Sequence, residues 1–173
     1  MIDMRLMIVA FLLFVPTHLA CGQDRVARLR NGIYKSPTGQ CSVTLSVSSM
    51  GGHKVLQLPH SVQVQDVSGV AWKSGSELIY SVSPIYGQPG IYVYDCIHQK
   101  NTRIVAPRNL NTHYPAGADY FELKGISNTD VIHFYYAPEV DDVDFAKFRS
   151  IRYLYQVKVD GSDMKRVGSK GAK

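Results

Sequence analysis

The chain has 173 residues, 45% of them hydrophobic, with three cysteines and a formal net charge of +5 at pH 7. This length is enough for one domain with an ordinary core. No Cys-x-x-Cys pair occurs, which argues against a zinc ribbon or a redox motif. The basic residues are mostly dispersed, a spacing that is typical of a solvated surface.

The first 22 residues have the layout of a secretory signal. Arg5 supplies positive charge, ten apolar residues span 6–15, and Pro16 ends the run before small residues appear. A transmembrane helix needs about 20 apolar residues, so this run is too short to cross a bilayer. Ala20-Cys21-Gly22 fits cleavage after Gly22. The same stretch resembles a bacterial lipoprotein box, which would leave Cys21 as a lipidated N-terminus.

Export is expected with either form of processing, followed by a single domain over 23–173 that has no transmembrane segment. Cys41 and Cys96 are then the cysteines left to pair. An even pair in an oxidising compartment favours a disulfide. The bridge would close a loop of about 55 residues and stabilise the fold by about 3–4 kcal/mol. Two buried free thiols are the alternative.

Short apolar runs separated by turn residues predict strands throughout the first part of this domain. Residues 23–33 form a polar lead-in, and Pro37 and Gly39 fit a tight turn. Val43, Leu45 and Val47 alternate with polar residues, the period of a half-buried strand. A hairpin loop over 50–54 and further strands over 55–58 and 61–65 follow.

The stretch 70–105 reads as a β-meander. Trp72 precedes the turn Lys73–Ser76, and the apolar run Leu78–Tyr80 follows. A Gly/Pro-rich reversal over 86–90 leads into the strand Ile91–Tyr94, and a polar turn over 98–101 leads into a last strand around 103–105.

This pattern recurs along the chain. Tyr34-Lys35-Ser36 and Trp72-Lys73-Ser74 share an aromatic-Lys-Ser order before a turn and an apolar strand. A looser occurrence starts at Tyr120, before the strand 131–136. Repeats of about 40–50 residues with four short strands each are typical of β-propeller blades. We therefore predict blade-like units near 34–65, 70–105 and 119–167.

The second unit resembles the blade of TolB-like (WD-repeat-related) β-propellers. The residues that carry the resemblance are Trp72, Ser74, Gly75, Leu78–Tyr80, Tyr92, Asp95 and Arg103. The resemblance implies an all-β fold of antiparallel meanders that serves as a protein-binding platform. Three units fall short of the four blades that a closed propeller needs, so a partial propeller or stacked sheets is expected. A β-sandwich with coincidental repeats is the alternative.

The densest charge in the chain is an acidic run inside a long loop, 138–151. Carboxylates beside aromatic side chains in such a loop suit a protein contact. We therefore predict a binding site here. The alternative is a solvated loop with no binding role. A calcium site is disfavoured because the spacing lacks the Asp-x-Asp-x-Asp-Gly order. A short helix over 143–148 is the one helical candidate. The predicted binding residues are Glu139, Asp141, Asp142, Asp144, Phe145 and Phe148.

No catalytic or metal-binding motif accompanies this pattern. The chain has six histidines, but none forms a His-x-His or His-x-x-x-His pair, so no metal site and no cofactor are predicted. Gly-x-Ser-x-Gly is also absent. Tyr135 and Tyr136 are adjacent in a predicted strand, so their side chains should point to opposite faces.

These features favour a non-enzymatic interaction protein of a bacterial envelope, either periplasmic or secreted, or anchored by lipid through Cys21. An inhibitor, an immunity-type protein or an accessory subunit would fit. The expected partner is another exported protein, because export argues against nucleic acid. A small secreted hydrolase or carbohydrate-binding module is the alternative. An enzyme should gather polar residues in a pocket, whereas an interaction protein should present an open patch.

Overall fold

The computed structural model describes residues 29–48, 53–83, 88–110, 120–137 and 152–170. Within these ranges the chain is all-β, as predicted, with twelve strands in three antiparallel sheets of four. In every sheet the strands are neighbours in chain order, so each sheet is a meander. Two short 3₁₀ segments, Pro59–Ser61 and Pro107–Leu110, complete the described secondary structure. The predicted signal and the helical candidate at 143–148 lie outside the described residues.

The first sheet turns one side toward the rest of the protein. Val43 and Leu45 are buried, whereas Thr44 and Ser46 between and beside them are exposed, which is the alternation that a strand imposes. Its strands are β1 (Gly32–Lys35), β2 (Ser42–Val47), β3 (Lys54–Gln57) and β4 (Gln63–Val64).

The structure shifts the predicted boundaries in this sheet. The polar lead-in was expected to run to residue 33, but β1 already begins at Gly32 because its residues pair with β2. A strand was expected over 61–65, but only Gln63 and Val64 pair with β3. Pro59 has no N–H group to donate and starts a 3₁₀ turn, which delays the strand.

The second sheet is buried on both sides. In its second strand, Leu78 and Tyr80 belong to one hydrophobic core and Ile79 belongs to another. Both cores need apolar residues, and this explains why the run Leu78–Tyr80 is continuous rather than alternating. The strands are β5 (Val67–Trp72), β6 (Glu77–Val82), β7 (Gly90–Asp95) and β8 (Lys100–Val105).

The third sheet buries one side against the second sheet. Phe121, Phe134 and Tyr136 are fully buried and pack ring against ring, with centroids 5.1–5.9 Å apart. Tyr135 is only half-buried and points away from Tyr136, as predicted for adjacent strand residues. The strands are β9 (Tyr120–Ile126), β10 (Val131–Ala137), β11 (Arg152–Lys158) and β12 (Lys165–Lys170).

Serine side chains of the second sheet form hydrogen bonds with the backbone groups at the free edge of β9. The Phe121 N–H donates to Ser83 Oγ (2.7 Å), the Phe121 carbonyl accepts from Ser83 Oγ and Ser68 Oγ, and the Leu123 N–H donates to Ser81 Oγ (3.0 Å). An end strand leaves backbone groups without a strand partner, and burying them unpaired is unfavourable. The three serines therefore let β9 be buried against the second sheet.

A glycine makes this approach possible. A Cβ atom at Gly69 would lie 2.6 Å from Leu123 Cβ and 3.0 Å from Ser81 Oγ. No real side chain tolerates such a contact, so β5 and β9 can come this close only with glycine at this position.

The first and second sheets are joined where their tight turns meet. Cys41, just before β2, forms the predicted disulfide with Cys96, just after β7, with Cα atoms 6.5 Å apart. Beside it, Thr38 Oγ1 donates to the Gly75 carbonyl (3.4 Å). A Cβ atom at Gly75 would lie 2.7 Å from Thr38, so the two turns are in direct contact.

Replacing Ser81 with alanine should destabilise the fold. Ser81 is fully buried and accepts from Leu123 N–H and from Ser68 Oγ, and the variant would leave the Leu123 N–H buried without a partner. We expect a loss of about 1–3 kcal/mol in the free energy of unfolding, measured by urea denaturation. Ser46→Ala, on the exposed side of β2, is the matched control and should change stability by less than about 0.5 kcal/mol. Equal effects of the two variants would contradict the assigned role of Ser81.

Reducing the disulfide should lower the free energy of unfolding by about 3–4 kcal/mol, because the unfolded chain gains freedom when the loop opens. Urea denaturation with and without reductant measures the change. The double variant Cys41→Ala/Cys96→Ala should be insensitive to reductant. Alkylation of both thiols in the oxidised protein would show that the bridge is absent.

Candidate functional site

The predicted acidic binding residues, Glu139 to Phe148, all fall within 138–151 and lie outside the described residues. Their assignment stays a prediction. The flanking residues are described: Ala137 ends β10 and Arg152 begins β11. Both belong to the third sheet. The side of this sheet that faces away from the core carries charged and aromatic side chains.

We call this side the outer face of the third sheet. Alternation along each strand places it, because Phe121, Leu123, Phe134 and Val157 turn inward and their neighbours must turn outward. Register pairs continue the face across the sheet, with Glu122 opposite Tyr135, Tyr135 opposite Leu154, and Gln156 opposite Lys165. The face comprises Tyr120, Glu122, Lys124, His133, Tyr135, Arg152, Leu154, Gln156 and Lys165.

Glu122 is the centre of an ion-pair network on this face. Its carboxylate binds the Arg152 guanidinium through Oε2 and lies 3.4 Å from Lys124 Nζ through Oε1. The Tyr120 hydroxyl also donates to it, at 3.4 Å. The cations are partly exposed, with 40% of the Lys124 side chain and 36% of the Arg152 side chain accessible. Both can therefore contact a further group from outside the chain.

Each cation also lies over a tyrosine ring. Lys124 Nζ is 5.1 Å from the centroid of the Tyr135 ring, and the Arg152 guanidinium is 5.1 Å from that of Tyr120. A cation in this position is attracted by the negative face of the ring. Burial, reinforced by the nearby Glu122 carboxylate, raises the pKa of Tyr120. The phenol therefore stays protonated and remains a hydrogen-bond donor at neutral pH.

The cation positions decide what the face can bind. A carbohydrate platform uses open aromatic rings on which a sugar can stack, but here each ring is covered by a positive group. Among the described residues of the face, the three cations Lys124, Arg152 and Lys165 outnumber the single carboxylate, Glu122. The described part of the face therefore offers charged N–H donors beside the apolar Leu154 side chain, and such donors attract anionic groups.

A second candidate is a cleft of about 560 Å³ between the second and third sheets. Val93, Ile104 and Val159 supply its apolar lining, and lysines and carboxylates from both sheets supply the charge. Its charged lining residues are Lys73, Glu77, Asp95, Lys100, Asp130, Lys158 and Asp160.

Several charged residues of the cleft form ion pairs within the protein. Lys73 Nζ lies 2.8 Å from Glu77 and 3.8 Å from Asp130, which joins the second sheet to the β9–β10 turn. The bond with Glu77 raises the pKa of Lys73. Lys158 pairs with Asp163 at 2.5 Å. The ion pairs of Lys73 with Glu77 and Asp130 thus hold the β5–β6 turn against the β9–β10 turn, and we call these three residues the electrostatic clamp.

Two of the described histidines are paired with aspartates. His53 Nδ1 lies 2.7 Å from Asp66 and His98 Nδ1 lies 2.6 Å from Asp95. The bond with His98 and the backbone N–H groups of the turn lower the pKa of Asp95. No group of three or more histidine, cysteine, aspartate or glutamate residues able to hold a metal occurs in the ranges that the structure describes. His133 lies on the outer face, and His113 lies outside the described residues.

No protein family, curated protein or solved structure matches the chain. A search of the described residues also found no helix with the length and apolar character needed to cross a membrane.

Sequence reasoning missed the outer face because its cations come from different strands. Lys124 and Arg152 are 28 positions apart along the chain, and nothing in the sequence pairs them with one carboxylate. The available signal was the alternation of Tyr120, Glu122 and Lys124 with apolar residues, which marks a side of β9 that is turned away from the core.

Replacing Lys73 with methionine should destabilise the clamp. Glu77 and Asp130 would lose their shared cation, and we expect a loss of about 1 kcal/mol in the free energy of unfolding at pH 7. The folded-state pKa of Lys73 lies above its ordinary value of 10.5. The stability it contributes is therefore fully present below this pH and is lost as the pH rises through the folded-state pKa.

Chemical denaturation at a series of pH values measures this difference. The gap between the native protein and Lys73→Met should stay constant from pH 7 to about 10 and shrink above it. Arg108→Met, at an exposed cation outside the clamp, should show no gap. If the difference in the free energy of unfolding between the native protein and Lys73→Met is the same at every pH, the proposed role of Lys73 is contradicted.

Proposed function

We propose that the chain is an exported, non-enzymatic protein-binding protein of a bacterial envelope, acting as an inhibitor, an immunity-type protein or an accessory subunit. The observation that carries the proposal is the outer face of the third sheet. It is an open surface with Tyr120, Tyr135 and Arg152, residue types that are enriched at the energetic centres of protein interfaces.

The arrangement of polar groups favours binding over catalysis. A hydrolase needs a nucleophile or an acid–base pair gathered where a substrate can enter. The cleft between the second and third sheets is the place where charged groups converge, but Lys73, Glu77 and Asp130 are committed to one another there. The covered rings of Tyr120 and Tyr135 likewise disfavour a carbohydrate-binding module.

The proposed compartment is supported by the N-terminal sequence and the disulfide. The layout of residues 1–22 fits an export signal, and a Cys41–Cys96 bridge persists in an oxidising compartment. The mature protein would be periplasmic or secreted, or held on a membrane by a lipid on Cys21. The three four-stranded meanders fit the architecture that the TolB-like blade resemblance implies, and propellers of this kind serve as platforms.

Affinity capture with the mature chain from its own envelope extract tests the proposal. We expect one stoichiometric protein partner at low salt and less of it at raised salt, because the Debye length shortens and weakens contacts between exposed charges. Quantitative mass spectrometry of the captured material gives the stoichiometry. The absence of any stoichiometric partner at both salt concentrations would contradict the proposal and would favour a small-ligand or enzymatic role.

A further inference from the structure

The two cations of the outer face are held in position before any partner arrives. Glu122 binds one guanidinium nitrogen of Arg152, and the guanidinium carbon lies over the Tyr120 ring, 5.1 Å from its centroid. A guanidinium carries five N–H donors, so this arrangement leaves donors for a second carboxylate. Lys124 is restrained in the same way, between Glu122 and the Tyr135 ring. Restraint of long side chains lowers the entropy that binding would lose.

The neighbours of these cations resemble the centre of a protein interface. Leu154 lies opposite Tyr135 in the register of β10 and β11, so an aliphatic and an aromatic side chain lie beside the charged groups. Interface centres combine aromatic residues and arginine with apolar area, and polar residues surround them. Lys165 and Gln156 supply polar groups at the β12 side of the face.

Glu122 also restricts the kind of anion that fits. Its carboxylate lies between Lys124 and Arg152 and would repel a continuous anionic surface, such as a phospholipid bilayer or a phosphodiester chain. Separate carboxylates that approach each cation from the outer side avoid this repulsion. A like charge placed among attractive ones is a common source of selectivity.

We infer that the outer face of the third sheet binds an acidic segment of a partner protein, with partner carboxylates pairing with Lys124 and Arg152 on either side of Glu122. This inference rests on the proposed function and names the chemistry of its partner. The Leu154 side chain contacts an apolar side chain of the same segment, and the face discriminates against phosphate surfaces.

A short fluorescein-labelled peptide, in which glutamate alternates with leucine, is the probe, and fluorescence anisotropy with the mature chain gives the dissociation constant. We expect Lys124→Glu/Arg152→Glu to weaken binding at least about tenfold. Lys35→Glu/Arg108→Glu changes the net charge equally at exposed positions outside the face. This control variant should change the dissociation constant by less than about twofold. Circular dichroism checks that each variant is folded. If the charge-reversal variant is unfolded, Lys124→Gln/Arg152→Gln is used in its place.

Vesicles of phosphatidylglycerol provide the second arm. The native chain should bind them more weakly than the peptide, and Glu122→Gln should bind them more tightly than the native chain, because the repulsion is removed. Equal loss of peptide binding in the face and control variants would overturn the inference, as would native binding to vesicles that matches binding to the peptide.

The failure of this inference differs from the failure of the proposed function. If the charge-reversal variant still captures the stoichiometric envelope partner, the acidic segment is wrong and the binding function stands. If the native chain captures no partner, the proposed function itself is wrong.

Discussion

The seating of β9 on the second sheet is the interaction on which the rest of the structure depends. A strand at the end of a sheet has backbone groups that no strand pairs, and here they are buried. Ser68, Ser81 and Ser83 supply the missing hydrogen bonds, and Gly69 lets the backbones approach. Without this contact, Phe121 and Leu123 could not enter the core, and Glu122 between them would have no fixed orientation. The contacts on the buried side of β9 therefore fix the orientation of the residues on the candidate binding face.

The two end sheets differ in the surfaces that they turn away from the core. The first sheet presents small polar residues such as Ser42, Thr44 and Ser46, together with the exposed apolar residue Ile33. Such a surface is adequately solvated and gives a partner little to bury. The third sheet presents tyrosines, a leucine and restrained cations. This difference is why a binding function is assigned to one end of the stack and not to both.

Alternation and turn residues predicted the all-β fold because they act over short distances along the chain. The disulfide was predicted from the number of cysteines left after the expected signal and from the expected oxidising compartment. The continuous run Leu78–Tyr80 indicated a strand but not that both of its sides would be buried. The serine contacts were not predictable, since a serine in a strand looks the same whether it faces water or a distant backbone. Pairing Lys124 and Arg152 with Glu122 requires β9, β10 and β11 to be adjacent in a known register, which periodicity alone does not supply.

The Cys41–Cys96 bridge connects only the first two sheets, and this has a consequence for the order of assembly. A chain that enters an oxidising compartment from its N-terminus would present both cysteines before β9 has emerged. The disulfide can then form while the remainder is still being translocated, and it holds the β1–β2 turn near the end of β7 before β9 arrives. The third sheet would dock last, onto a partner layer that is already covalently closed. The serines of β5 and β6 would form a ready-made template for the late-arriving backbone of β9.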